Sequence, residues 1–167
     1  TFSGVPQDNY RLDPTRGGGA LYDVGCYGVA AALMAIGDDV EVTAAASTSA
    51  SSGVDLTTTA ELASARGVAR VTASFEREES QGFAVTGQGF SLELPHPAFT
   101  AWREATTMTV VDDEGSRTEE FDACDPYLLM VEAVSARIRG GDDWVLPLST
   151  SLAVARTLDA VRERARP

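Results

Sequence analysis

Through the middle of the chain apolar and polar residues alternate with a period of two. In VDLTTTAEL (54–62), Val54, Leu56, Ala60 and Leu62 alternate with Asp55, Thr57, Thr59 and Glu61. In RVTASF, Val71, Ala73 and Phe75 alternate with Arg70, Thr72 and Ser74, and in GFSLEL, Phe90, Leu92 and Leu94 alternate with Ser91 and Glu93. That period belongs to half-buried strands. TMTVV and RTEEF flank DDEGS, the pattern of a hairpin. TAAASTSASSG (43–53) reads as the end of a strand running into a loop.

The period changes at three places. The segment Ala20 to Ile36 has the length and the Ala, Leu and Met content of a helix, and Gly37 supplies its stop. Leu21, Val24, Val29, Leu33 and Ile36 make it apolar around nearly its full circumference, which predicts a buried helix. Asp125 and Pro126 start a second helix with Tyr127, Met130, Val131, Val134 and Ile138 at helical spacing, ended by Gly140–Gly141. Ser149 or Ser151 caps a third, striped by Val154, Leu158, Val161 and Ala165. Six or seven strands with short connections and three helices predict an α+β fold: an open, mostly antiparallel β-sheet with about three helices packed on one face. The opposite face is rich in Thr and Ser, as a solvated face or a dimer contact would be.

At 167 residues the chain reads as one domain, 1–167, large enough to need no metal or disulfide staple. Its 25 acids against 13 bases give a net charge of −12, and every base is Arg. A surface this negative argues against nucleic acid and anionic membranes as partners. No unbroken apolar run approaches the length of a membrane span, and no signal peptide is visible. Cys26 and Cys124 do not make a disulfide scaffold or a zinc site and read as two reduced thiols of a cytoplasmic protein. The chain starts TFSG rather than with Met, so a preceding segment is expected.

Asp23 and Tyr27 stand four residues apart in the first helix, on one face and about 6 Å apart. Spacing alone admits two readings. Both side chains could address one small molecule, or Asp23 could complement the helix dipole while Tyr27 fills the core. The run GGG (17–19) allows close backbone approach but is not followed by the lysine of a phosphate loop, and GQGFSL (87–92) is a turn between strands. Neither is a nucleotide site. His96, between prolines in LPHPAF, is read as a loop residue, and no metal-ligand spacing emerges.

NYRLDPTRGGGALYDVGCYGVAAALMAIGDDVEV (9–42) resembles the start of the C-terminal domain of Gfo/Idh/MocA oxidoreductases. The likeness is greatest to the branch with glucose-fructose oxidoreductase, dimeric dihydrodiol dehydrogenase and the xylose dehydrogenases, which carry D-x-G-x-Y after a glycine-rich run. GVDLTTTAEL, VTGQGFSLEL, DPYLLMVEAVSARIRGG and LPLSTSLAVARTLDAV resemble the same family in the same order, so the likeness spans nearly the whole chain. Arg16 departs from the apolar residue commoner there.

The resemblance implies a substrate-binding and dimerisation domain. It makes Asp23 and Tyr27 catalytic and, by a looser match, Arg11 substrate-binding. NADP or NAD would be held mainly by a preceding Rossmann domain carrying the family's E-K-P lysine, and neither is found in this chain. The implied substrate is a sugar, polyol or dihydrodiol, the implied assembly a homodimer through the sheet, and the chain by itself is expected to be inactive. The alternative is a stand-alone, non-enzymatic dimerisation or small-molecule-binding module derived from such an enzyme.

Overall fold

A computed structural model describes residues 1–100 and 102–166. They divide into two compact units, residues 1–80 with the chain from Leu148 onward, and Gln81–Pro147.

The first unit holds a three-stranded antiparallel sheet, β1 (Glu41–Ser49), β2 (Asp55–Ser64) and β3 (Gly67–Ser74), in that order. The alternation sets its register: Ala45 opposes Ala60, which opposes Val71, and Val42 opposes Leu62, which opposes Ala69. Against this row pack α1 (Cys26–Ile36) and the C-terminal helix (Leu148–Arg164), so that Leu21, Val29, Leu33, Ile36, Leu62, Val71, Leu158 and Val161 form one core. Gly37 stops α1 at φ 92° with its N–H on Leu33 O, while Ser64 Oγ donates to Ile36 O. A smaller cluster joins Ala20, Ala73 and Phe75, with Phe2 tilted on Phe75 at 5.0 Å.

In the second unit β4 (Phe83–Gly87), β5 (Phe90–Leu94), β6 (Thr106–Asp112) and β7 (Gly115–Phe121) form a four-stranded antiparallel sheet in sequence order. DDEGS closes the β6–β7 hairpin, with Asp112 opposite Gly115. Asp125 Oδ1 accepts the N–H groups of Tyr127 and Leu128 and so caps α2 (Pro126–Ile138), with Pro126 in its first turn. The C-terminal helix of the first unit is accordingly α3. The fold is α+β, with antiparallel sheets and three helices; its strands fall into two sheets.

Three details differ from the alternation. Thr57 and Ser74, on the polar face, are buried, because Thr57 Oγ1 and Ser74 Oγ bond each other at 2.7 Å and Glu76 accepts from Thr57 at 3.0 Å. Satisfied hydroxyls can leave water at little cost. The apolar residues of α2 stay exposed, Ile138 most of all. With the turns before it, the helical stretch Pro14–Ile36 of 23 residues contains an 18-residue window of mean hydropathy 1.5, enough by length and composition for a membrane span. That match is invisible to a search for an unbroken apolar run, because Arg16 and Asp23 interrupt it. Within this fold the stretch supplies the helix that covers β3.

Candidate functional site

The site starts in two short 3-10 turns, Tyr10–Leu12 and Pro14–Arg16, capped by the side chains of Asn9 and Asp13. The glycine run then folds back on them. Gly18 N–H donates to Asp13 O at 3.0 Å and Gly19 N–H to Arg11 O at 2.9 Å. A Cβ on Gly18 would lie 2.5 Å from Arg11 O. Gly19, at φ 127°, has Asp55 Oδ1 only 2.2 Å from where its Cβ would be.

Asp55 is the residue that the sequence pattern concealed. As one polar position of an alternating strand it carried no signal, yet its Oδ2 accepts Leu21 N–H at 2.7 Å and Thr58 Oγ1 at 2.9 Å. A carboxylate there satisfies an N–H that a starting helix leaves open and complements its dipole. The same bond disposes of the phosphate question. The N–H groups of Gly18, Gly19 and Leu21 are spent on protein oxygens, and a carboxylate stands where an anion would sit, so these residues do not fit the phosphates of a dinucleotide.

Beyond Leu21 the chain is not an α-helix at first. Leu21–Gly25 form a π turn, which passes into α1 at Cys26. Such turns are rare and concentrate at functional sites. Gly25 and Gly28 bring the helix close to β3: a Cβ on Gly25 would lie 3.2 Å from Ala73 Cβ, and one on Gly28 2.8 Å from Val71 Cγ1. With that face down, the other carries Tyr27, 46% exposed, and Met34. The helix is therefore open along one stripe rather than buried all round.

Of the residues singled out by sequence, Tyr27 stands on this stripe, Asp23 in the π turn ahead of it and Arg11 in the first 3-10 turn. Asp23 Oδ2 accepts from Arg11 Nε at 2.7 Å, the two side chains being 19% and 31% exposed. The Asp23 bond holds the Arg11 guanidinium above its ordinary pKa. Arg11 lies over Tyr10 at 4.8 Å from the ring centroid. Tyr27 follows Asp23 one turn on, and neither is sealed in the core. Cys26 Sγ donates to Asp23 O at 3.6 Å, and burial pushes its thiol pKa up. Behind the site Tyr22 Oη donates to Asp159 Oδ1 at 2.5 Å, tying the π turn to α3; burial first, and that bond second, push its phenol up to about 12. His96 belongs to the other unit, where it lines a hollow with Pro95, Pro97 and Thr106.

A family model of the GFO/IDH/MocA C-terminal domain matches residues 1–93, which contain Arg11, Asp23, Tyr27 and Asp55. D-xylose 1-dehydrogenase (NADP(+)) 2 of Haloferax volcanii is 35% identical over 160 residues, 95% of this chain and 49% of that protein. This chain belongs to the GFO/IDH/MocA family.

An uncharacterized oxidoreductase of Rhizobium meliloti, ORF334, is 30% identical over 92% of this GFO/IDH/MocA chain and 48% of its own length. The chain spans about half the length of these curated relatives. Among solved structures, KijD10, a 3-ketoreductase from Actinomadura kijaniata in complex with NADP and TDP-benzene, superposes with a TM-score of 0.86 at 24% identity, over 99% of this chain and 51% of its own. Aldose-aldose oxidoreductase from Caulobacter crescentus, complexed with glycerol, gives 0.83 at 18% identity over 99% and 51%. Both share the fold of this GFO/IDH/MocA domain.

Proposed function

We propose that this domain is the substrate side of an NAD(P)-dependent oxidoreductase acting on a CH–OH group of a sugar, polyol or dihydrodiol. Asp23 and Tyr27 are its catalytic pair, and Arg11 lies within reach of the substrate. One observation carries the reading: inside the segment matched by the family, an arginine-held carboxylate in the π turn is followed four residues on by a half-exposed phenol in α1, neither of them sealed in the core. The names of the xylose dehydrogenase relative and of the two structural neighbours, with their NADP and polyol ligands, support the substrate class and the cofactor.

During reduction Tyr27 Oη–H gives its proton to the substrate oxygen and the resulting phenolate regains one from solvent; during oxidation the phenol first releases its proton to solvent, and the phenolate then accepts the substrate's hydroxyl proton. Asp23, with Oδ2 on Arg11, has lone pairs left to accept a neighbouring substrate hydroxyl and fix which carbon faces the reaction. The hydride would be exchanged with a nicotinamide held by residues other than these.

The spent N–H groups of the glycine run and the absence of lysine from the sequence support the further expectation that this chain alone does not turn over. An assay with NADP⁺ or NADPH across aldoses, inositols and dihydrodiols checks it, and turnover by the chain alone overturns it. Sugar binding followed by NMR that is indifferent to combined Tyr27→Phe and Asp23→Ala removes the site itself.

A homodimer through the open face of β1–β3 belongs to the same proposal. Thr57 and Ser74 are bonded among themselves, which leaves Val68, Arg70 and Thr72 as the exposed residues of β3 on that face. A monomer mass in light scattering at high protein concentration counts against it.

A further inference from the structure

The geometry points to Arg11 as the positioning residue of this site: through Nε it fixes the Asp23 carboxylate and compensates its charge, so that acid and phenol can work side by side. The inference rests on the reading of Asp23 and Tyr27 as the reacting pair and adds what keeps that pair in order.

Arg11 is held from several sides. Its N–H donates to Asn9 Oδ1 at 3.0 Å, and its carbonyl accepts Gly19 N–H at 2.9 Å. Its guanidinium lies 4.8 Å from the Tyr10 ring centroid and 5.9 Å from that of Phe2. With the backbone and the plane both fixed, Nε–H points at Asp23 Oδ2 at 2.7 Å. A lysine has no donor at that depth of the side chain and no plane to lay on a ring. The terminal nitrogens carry the remaining N–H donors, so Arg11 can meet a substrate oxygen without releasing Asp23.

A lone carboxylate one turn from a phenol opposes negative charge on the phenolic oxygen as its proton leaves. The Arg11 cation, bonded to that carboxylate, offsets its charge. Several other charges on the elements packed against the helix are engaged with protein groups. Asp55 accepts Leu21 N–H and Thr58; Glu61 pairs with Arg70 at 3.2 Å; Asp159 pairs with Arg162 at 3.5 Å; Arg164 donates to Thr43 O. Arg156 and Glu163 complete the ionisable set of α3.

A double-mutant cycle on this chain, without ligand, tests the idea. Arg11→Met, Asp23→Asn and their combination are compared by urea unfolding and by the ring signals of Tyr27 in tyrosine-labelled protein, assigned by their loss in Tyr27→Phe. Arg11→Met is expected to move the Tyr27 signals and to raise the unfolding constant about tenfold. In the Asp23→Asn background the same substitution should move them little and cost far less. Arg11→Lys should behave as Arg11→Met rather than as the parent. If Arg11→Met does not fold, Arg11→Gln enters the same cycle. Tyr27 signals indifferent to the loss of the cation in a folded chain, or strictly additive penalties, overturn the proposal and leave Arg11 a packing residue. Because no sugar is present, that failure is separate from failure of the functional reading, which is judged by sugar binding to the Tyr27→Phe and Asp23→Ala variant.

Discussion

Gly17 and Gly19 look interchangeable in the sequence and are not. Both have positive φ, 74° and 127°, but a Cβ on Gly17 would enter open space while one on Gly19 would meet Asp55 Oδ1. Gly17→Ala therefore carries only the left-handed penalty of roughly 1–2 kcal/mol. Gly19→Ala adds displacement of the Asp55 carboxylate, which strips Leu21 N–H of its acceptor and costs about 1–3 kcal/mol more. Urea unfolding of the two variants should separate them in that order; equal losses would mean that Asp55 yields freely. Here lies the limit of what the chain shows before it folds. Three glycines announce close approach, but the partner, Asp55, lies 34 residues from the Leu21 N–H that it holds. Arg11 and Asp23 are 12 residues apart in separate turns. Neither distance corresponds to a period of helix or strand, so no pattern could reveal them. The pair Asp23 and Tyr27 was legible, because a four-residue spacing within one helix is local.

The helix that bears the site is fastened on two sides, and each fastening makes a prediction. On the side of β3, Gly28 leaves no room for a methyl group beside Val71 Cγ1. Gly28→Ala should cost about 1–3 kcal/mol by overpacking, and Val71→Ala in the same chain should recover part of the loss in thermal unfolding. Penalties that simply add would show that the helix shifts instead. On the side of α3, Tyr22 donates to Asp159, and its phenol is raised from 10.0 to about 12. A proton held more tightly in the folded state stabilises fully below pH 10, and that stability is lost as pH rises through 12. The urea midpoint should therefore fall more steeply across pH 10–12 in the parent than in Tyr22→Phe, with parallel curves below pH 10. The π turn, which carries the Tyr22 fastening, had no sequence signal, since a segment apolar all round fits either winding. The strands did, because their alternation is a property of a few neighbouring residues and the register follows from it. The buried hydroxyls of Thr57 and Ser74 are the exception: burial there depends on bonds made across β2, β3 and Glu76.

Across the whole molecule the dry core is unevenly shared. Among the described residues, Val29, Leu33, Leu62 and Val161 are almost wholly buried in the first unit, whereas Val110 is the buried apolar residue of the second and α2 contributes none. A helix of 13 residues with Leu128, Leu129, Met130 and Ile138 exposed is held by its cap, its backbone bonds and the Trp102 ring against Tyr127 at 5.0 Å, and such lengths are marginal in water. Local opening should follow this division, because the free energy of opening tracks the apolar area an element keeps dry. In hydrogen exchange on the chain as it stands, amides of α1, β2 and β3 should be the slowest, those of β4–β7 intermediate, and those of α2 the fastest among the helices. The site amides at Gly25 and Tyr27 should exchange with the slow group, since their helix rests on β3. Protection of α2 equal to that of α1 would show that in solution its apolar residues are covered, and light scattering on the same sample would then tell whether a second copy covers them.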